Sequence, residues 1–188
     1  MQRPTPINQE IKLDEKRYIV SKTDPKGIIT FANPYFCMIC GYSELELLGQ
    51  PHNIIRHPDM PRIAFKLMWD TIQQGKDFTA VVKNLAKDGR FYWVITEFSS
   101  KKDSTTGQIT EYTAFRKAPP RSAIETIEPI YRALLDAERN GGMQASQKAL
   151  VDFLKSKGET YESWIAKVSG KSNPLTAMFF KAMKKLFS

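Results

Sequence analysis

Residues 77–100 read DFTAVVKNLAKDGRFYWVITEFSS. Two runs rich in β-branched and aromatic residues, 77–86 and 90–100, stand on either side of a KDG sequence at 87–89. Such residues favour β-strands, and an Asp-Gly pair between two strand patterns is a strong signal for a tight turn. The stretch therefore predicts an antiparallel hairpin of two long strands.

Three further strand patterns surround this hairpin. QITEYTAFRK at 108–117 follows it after a polar turn, whereas YIVSKTD at 18–24 and GIITFAN at 27–33 precede it. The latter two flank a PKG sequence at 25–27, where proline and glycine favour a turn. Together the five patterns predict one five-stranded antiparallel sheet.

Between the second and third predicted strands the pattern changes to that of helices. Two short helices are predicted at 33–42 (NPYFCMICGY) and 43–48 (SELELL). Gly41 would end the first helix and Gly49 the second. MPRIAFKLMWDTIQQG at 60–75 carries apolar residues at helical spacing and predicts a longer helix. Helices gathered on one face of an antiparallel sheet describe an α+β domain, which we place at 18–117.

Two further regions flank this domain. Residues 8–17 have helical character, and we expect an N-terminal cap helix within 1–17. After the proline pair at 119–120, apolar residues at helical spacing predict a helical extension over 118–188. An NGG sequence at 140–142 is expected to separate its first two helices.

The last predicted helix, NPLTAMFFKAMKKLFS at 173–188, has the most regular pattern in the chain. Its apolar stripe consists of Leu175, Met178, Phe179, Ala182, Met183 and Leu186. Three lysines lie on the opposite face, so the segment 174–188 suits an anionic membrane surface or a groove on a partner protein. The alternative is a helix that covers the domain while its lysines are solvated.

The positive charge of this chain is unevenly distributed. The 188 residues have a formal net charge of +8, and residues 164–188 contribute five lysines and no acidic residue. Because the rest of the chain mixes both signs, we expect no nucleic-acid-binding surface. The polar start at 1–10, two cysteines and the absence of an apolar run of membrane-spanning length predict a cytoplasmic protein.

Both histidines of the chain fall within QPHNIIRHPDMP at 50–61, a segment stiffened by three prolines. Arg56 offers a planar fork of donors suited to a phosphate or carbonyl group. His57 can donate from one ring nitrogen and accept at the other, and Asp59 can orient either neighbour. These three residues are candidates for ligand binding, and the alternative is a surface ion pair that closes a turn. His52 is interpreted as a turn or packing residue.

Four segments resemble the PAS sensor domains of the Aer type, namely FAN at 31–33, GYSELELLGQ at 41–50, GQPHNIIRHPDMP at 49–61 and VVKNLAKDGRFYWV at 81–94. Domains of this type hold FAD non-covalently and read its redox state in energy taxis and aerotaxis. The resemblance therefore implies a PAS fold and FAD as the cofactor. Within the family, the resemblance implies a stand-alone soluble PAS protein that works with a separate membrane receptor.

The resemblance also implies which residues hold FAD. The positions that match Arg56, His57 and Asp59 are those on which FAD binding depends in the family, and two matching amides lie near the flavin. Two tryptophans are added on their own chemistry, since an indole can cover a ring system by stacking. The complete set of candidates is Asn33, Arg56, His57, Asp59, Trp69, Asn84 and Trp93. The alternatives are core packing for the tryptophans and a helix N-cap for Asn33.

We therefore expect a soluble FAD-binding redox and energy sensor that signals to a membrane-bound chemotaxis partner of the methyl-accepting type. Through that partner the protein would lie at the inner membrane. A homodimer through the sheet or through the N-terminal helix is compatible with this fold. Because the sequence contains no nucleophile–base constellation, we expect no enzymatic activity.

Three other interpretations stay open: a haem-binding PAS gas sensor, a ligand-free PAS interaction module, and a flavin-dependent or thiol-redox enzyme. The predicted helix at 61–75, a common source of the haem ligand, contains no histidine, so His52 or His57 would have to serve. Cys37 and Cys40 form a single C-x-x-C in an apolar helix, which is a weak signal, since buried cysteine is ordinary packing. We expect no bound metal.

Overall fold

The computed structural model describes residues 3–170, 178, 180–182 and 185. The strands are β1 (Ile19–Thr23), β2 (Ile29–Ala32), β3 (Phe78–Leu85), β4 (Phe91–Lys102) and β5 (Ile109–Lys117). They form one antiparallel sheet in the order β2-β1-β5-β4-β3. The predicted five-stranded sheet and both of its hairpins are confirmed.

Helices connect the two hairpins and follow the last strand. The helices are α1 (Pro34–Cys40), α2 (Glu44–Leu47), α3 (Arg62–Ile72), α4 (Arg121–Lys157) and α5 (Tyr161–Val168), with a 3-10 turn at His52–Ile55. Within α4 the backbone leaves helical geometry at Gly141 and Gly142, where the sequence predicts a boundary. None of the helices in the described ranges combines the length and the apolar character of a bilayer span.

Local capping explains where the short helices begin and end. The Asn33 side chain accepts a hydrogen bond from the Phe36 backbone N–H at 3.0 Å and so caps α1. Gly41 ends that helix with a φ of 73°, which lies in the left-handed region that glycine adopts without a penalty. Ser43 and Glu46 then form a reciprocal capping box at the start of α2. These interactions are local in sequence, which is why the pattern predicted them.

The sheet has an inner face, which contacts α3, and an outer face, where Lys83 and Trp93 meet α4, while α5 contacts β3. These two helices also cover the free edge of β3. The Tyr131 hydroxyl of α4 donates to the Val81 carbonyl at 2.7 Å, and the Tyr161 hydroxyl of α5 donates to the Thr79 carbonyl at 3.1 Å. An uncovered edge strand would present unpaired backbone groups to other chains, so the helical extension completes the domain.

The predicted N-terminal helix is wrong. Residues 8–17 are not helical, and the segment instead runs beside the start of β4. The Ile11 backbone N–H donates to the Phe91 carbonyl at 2.7 Å, and the Phe91 N–H donates to the Gln9 carbonyl at 3.0 Å. The pairing of β5 with β4 reaches only Ile95, so the backbone groups of Phe91 are left to the N-terminal segment. The predicted homodimer contact through an N-terminal helix is therefore not supported, since residues 8–17 form no helix.

Most of the predicted amphipathic C-terminal helix lies outside the described residues. The described residues 178, 180–182 and 185 are helical. Of the predicted apolar stripe, Met178 is 64% exposed and Ala182 is also exposed, whereas Phe180, which the stripe omits, is 1% exposed. Phe180 lies beneath the ammonium group of Lys117, 5.9 Å from its ring centroid. Among the described residues of this segment, the buried side chain is therefore Phe180 and not one of the predicted stripe.

Candidate functional site

A cavity of about 400 Å³ lies on the inner face of the sheet, between the strands, α3 and the 3-10 turn. Its volume falls within the range of about 300–1,000 Å³ that is typical of small-molecule sites. One part of its wall is aromatic and another is polar. The aromatic residues are Phe65, Trp69, Phe98 and Tyr112, and the polar residues include Ser21, His52, Asn84, Thr96 and Arg116.

A glycine turn allows the aromatic part of the wall to form. The Trp69 ring from α3 meets the Tyr112 ring from β5 edge to face, with 5.6 Å between the ring centroids. A Cβ atom at Gly27 would lie 3.1 Å from Cη2 of this indole, and Gly27 has a φ of +81°. Only glycine tolerates both the left-handed backbone and the close approach. The turn between β1 and β2 therefore helps to fix the position of Trp69.

The polar part of the wall comes from three adjacent strands. Asn84 lies on β3, Thr96 on β4 and Arg116 on β5, and Thr96 pairs directly with Arg116 across the sheet. Asn84 Nδ2 and Thr96 Oγ1 are buried and have no hydrogen-bond partner within the described part of the chain. Asn84 is the cross-strand partner of Tyr92. Its amide lies close enough to affect the pKa of the buried Tyr92 hydroxyl, but the two groups do not have hydrogen-bonding geometry. An unsatisfied buried polar atom costs about 1–3 kcal/mol, so these groups call for a ligand or water.

His52 and Arg116 meet at one end of the cavity. Arg116 Nη2 lies 2.9 Å from His52 Nε2, and Arg116 Nη1 donates to Ser21 Oγ at 2.9 Å. Since a guanidinium group can only donate, His52 Nε2 must accept and the ring carries its proton on Nδ1. Burial, together with the charge of Arg116, lowers the pKa of His52 to about 3. Burial also lowers the pKa of Arg116 to about 10, so at neutral pH this pair carries one positive charge.

Three of the predicted site residues line the cavity: Arg56, Trp69 and Asn84. Arg56 is partly buried, and its Nη2 donates to the Met60 carbonyl at 3.0 Å. Its guanidinium carbon stands 4.2 Å from the ring centroid of Phe65, an arrangement typical of a cation–π contact. Burial and the neighbouring Arg3 lower the pKa of Arg56 below its ordinary value. The guanidinium is therefore held in place while part of it faces the cavity.

His57, Asp59 and Trp93 do not line this cavity but surround Lys83 on the outer side of the sheet. Lys83 Nζ bonds Asp59 Oδ2 at 2.7 Å and stands 5.8 Å from the ring centroid of Trp93. His57 Nδ1 accepts from the Asp59 backbone N–H at 3.1 Å. Burial, and then the charge of Lys83, lower the pKa of His57 to about 4. This cluster fixes the loop that presents Arg56, instead of facing the cavity itself.

Asn33 and the two cysteines lie away from the cavity, around α1. Besides capping α1, the Asn33 amide donates to the Tyr18 carbonyl at 2.8 Å, so its polar atoms serve the fold. Burial raises the pKa of Cys37 and raises that of Cys40 to about 12. Thiols with raised pKa values are poor nucleophiles and poor metal ligands at neutral pH. No group of three or more His, Cys, Asp or Glu residues suited to a metal ion occurs among the described residues.

Sequence reasoning missed His52, Thr96 and Arg116 as cavity residues. A signal for the last two was present, because each is a polar residue on the buried side of a strand that is otherwise apolar there. Polar residues at such positions are costly unless they are paired or functional. His52 gave no such signal, since its place beside Arg116 depends on a contact between residues 64 positions apart.

Comparisons with known proteins agree with this architecture. The sequence profile of the family described as the PAS fold matches residues 29–116. The aerotaxis receptor of Escherichia coli (strain K12) is 38% identical over 131 residues, which are 70% of this chain and 26% of that receptor. A nitrogen fixation regulatory protein of Klebsiella pneumoniae is 30% identical over 105 residues, which are 56% of this chain and 21% of that protein.

A solved structure shows the same likeness. The dark structure of the blue-light photoreceptor Aureochrome1 LOV superposes with a TM-score of 0.50 at 25% identity, over 65% of this chain and 84% of that one. The chain spans 26% and 21% of the two curated relatives, so the likeness concerns one region of each. The profile match at 29–116 includes α1–α3, strands β2 to β5 and most of the cavity residues, whereas β1 precedes it. The predicted relationship to aerotaxis sensors is confirmed at this level. Residues 29–116 therefore have the PAS fold and match the sequence profile of that family.

Proposed function

We propose that the cavity binds FAD and that the protein is a redox and energy sensor, not an enzyme. The observation that carries the proposal is the unpaired polar pair Asn84 Nδ2 and Thr96 Oγ1, buried in an aromatic-walled cavity of a PAS domain. A flavin ring combines a flat apolar body with a polar edge of carbonyl and N–H groups. Such a ligand needs both kinds of wall at once.

The residues present fit this cofactor. Trp69 and Tyr112 would contact the ring system, Asn84 and Thr96 would bind its polar edge, and Arg56 would bind a phosphate group. A cavity of about 400 Å³ suits the flavin ring better than the whole dinucleotide. The rest of the FAD molecule would extend out of the cavity through its opening. Bound FAD supplies reversible electron uptake, which is the chemistry that a redox sensor requires.

The chain favours FAD over haem as the ligand. His57 lies outside the cavity, and His52 Nε2 is already engaged by Arg116 and Ser21 at 2.9 Å each. A haem ligand at His52 would have to give up both contacts. A ligand-free interaction module is also disfavoured, because the buried polar atoms of the cavity would then have only water as a partner.

The signal would pass from the cavity to the outer helices through β3. Asn84 faces the cavity, whereas the preceding residue, Lys83, faces Tyr131 and Arg132 of α4. A rearranged hydrogen bond at Asn84 would therefore bias the packing of α4. We propose that α4 and the segments after it report this change to a membrane-bound chemotaxis partner. The similarity to an aerotaxis receptor supports a signalling role.

Absorbance of the purified protein, before and after FAD is added and unbound FAD removed, tests this proposal. We expect retained oxidised-flavin absorbance in the wild type and about ten-fold weaker FAD binding in Asn84→Ala, since one hydrogen bond is worth about 1 kcal/mol or more. Leu45→Ala is the control, because Leu45 is 88% exposed on α2 and lies outside the cavity. A wild type that takes up no FAD, or that shows a Soret band, would overturn the proposal.

A further inference from the structure

Arg116 is a buried cation whose contacts are neutral. The residue is 3% exposed, and in the described part of the chain its guanidinium bonds Ser21 Oγ, the Ala114 carbonyl and the neutral ring of His52. A buried charge is normally paired with an opposite charge, because desolvation alone costs several kcal/mol. Arg116 instead faces the cavity.

Thr96 extends the same end of the cavity. It is the direct cross-strand partner of Arg116, and partners of this kind have Cβ atoms about 4.5–5.5 Å apart. Thr96 is 0% exposed, and its Oγ1 has no partner among the described residues. A fixed cation and an uncommitted hydroxyl therefore stand side by side on the floor of the cavity.

A purely structural role explains this arrangement poorly. Ser21 Oγ and His52 Nε2 lie 2.9 Å apart, so they can bond each other without Arg116. A neutral side chain would serve the local hydrogen bonds equally well and would avoid the desolvation of a charge. The Phe36 ring, whose centroid lies 5.7 Å from the guanidinium carbon, offsets only part of that cost. The cavity in front of Arg116 supplies a further explanation for the positive charge.

We infer that Arg116 and Thr96 form the acceptor-binding end of the cavity, which takes the electron-rich carbonyl edge of the ligand, and that Arg116 makes the site prefer the more negative redox form. The inference rests on the proposed function, with FAD as the ligand. A flavin that has gained two electrons is richer in negative charge at its ring edge than an oxidised one. In a buried site, a neighbouring cation stabilises that form more than it stabilises the oxidised form.

The midpoint potential of bound FAD, measured with dithionite as the donor of the two electrons, tests the inference together with the dissociation constant of oxidised FAD. Arg116→Gln keeps hydrogen-bond donors and removes the charge. We expect the ratio of its affinities for reduced and oxidised FAD to fall at least about ten-fold relative to the wild type. For a two-electron couple, this corresponds to a midpoint potential of bound FAD that is lower by about 30 mV. Arg116→Lys keeps the charge and is expected to keep the potential. Thr96→Val is expected to weaken both forms about equally.

Lys101→Gln is the matched control, because it removes the same charge from an exposed position on β4 where solvent screens it. If Arg116→Gln leaves the potential where Lys101→Gln leaves it, the inference is overturned while FAD binding stands. If the wild type binds no FAD in either form, the proposed function and this inference fall together. Should circular dichroism show that Arg116→Gln is unfolded, unchanged affinity of Thr96→Val for both redox forms of FAD overturns the inference.

Discussion

His52 shows how its surroundings set the chemistry of a single residue. An exposed histidine is partly charged near neutral pH, but Arg116 faces this ring with donors only, and burial removes the solvent that would stabilise a second positive charge. The ring therefore acts as an acceptor that holds Arg116 in place. The proton on its other nitrogen follows from the same contact.

The histidines predict a loss of stability in mild acid. An unfolded histidine has a pKa of about 6.5, whereas folding lowers the pKa of His52 to about 3 and that of His57 to about 4. Below pH 6.5 the unfolded state binds more protons, so the free energy of unfolding falls as the pH falls, by up to about 1.4 kcal/mol per pH unit and histidine. Urea unfolding at about pH 7.5 and at about pH 5 measures this difference.

His52→Gln separates the two contributions. Glutamine can accept from Arg116 but does not titrate, so we expect the variant to lose about half as much stability as the wild type between those pH values. Carboxylates take up protons only at lower pH and contribute little in this window. A variant with the full wild-type loss would show that His52 is already protonated in the folded protein or that it does not titrate on unfolding.

Among the elements, α3 depends on a distant residue for its first turn. Pro61 precedes this helix and provides no side-chain cap. Glu138 of α4 supplies the missing acceptor, because its Oε1 accepts from the Ile63 backbone N–H at 2.9 Å. Its other oxygen lies 3.5 Å from Arg62 Nε. Since α3 carries Trp69, the helical extension helps to position the cavity wall.

Removal of this contact should therefore destabilise the protein. We expect Glu138→Ala to lower the free energy of unfolding by about 1–3 kcal/mol, because it leaves a buried helix-start N–H unpaired. Glu138→Gln keeps an acceptor and should lose less. Asp136→Ala is the control on the same helix, since its ion pair with Arg139 is exposed and should be worth less than about 1 kcal/mol. Equal losses in Glu138→Ala and Asp136→Ala in urea unfolding would contradict this role.

In the whole molecule, the two faces of the sheet carry different groups of polar side chains. The cavity lies on one face, and the charged cluster around Lys83 lies with α4 on the other. The edge of β3 joins them, because its carbonyls at Thr79 and Val81 accept from tyrosines of the helical extension. A change at the cavity can thus reach the outer helices through one strand.

The tyrosine contacts at this edge should contribute measurably to stability. Tyr131→Phe removes the buried donor to the Val81 carbonyl, and we expect the free energy of unfolding to fall by about 1–2 kcal/mol. Tyr161→Phe should have a smaller effect, since its bond to the Thr79 carbonyl is longer and only partly buried. Thermal and urea unfolding measure both. If neither variant differs from the wild type, the helices do not stabilise the edge through these hydroxyl groups.

Local patterns in the sequence were enough to predict most of the fold. Strand alternation, the Asp88-Gly89 turn and the Asn33 and Ser43 caps are interactions between near neighbours, so they are readable without the tertiary structure. The same reasoning failed at 8–17, where a helical pattern is overridden by the unpaired backbone of Phe91. The Phe91 backbone is available to residues 9 and 11 only because the pairing of β5 with β4 stops at Ile95. That end point depends on residues far apart in the sequence.

The sequence by itself determined the sheet, the order of its elements and the chemical type of three cavity residues, Arg56, Trp69 and Asn84. Only the tertiary structure decided which side of the sheet each polar group faces. It turns Arg56 towards the cavity and His57 towards the Phe91 ring of β4, although they are adjacent in the chain. The physical reason is that an extended backbone points neighbouring side chains in opposite directions, and strand pairing over long separations then chooses their surroundings.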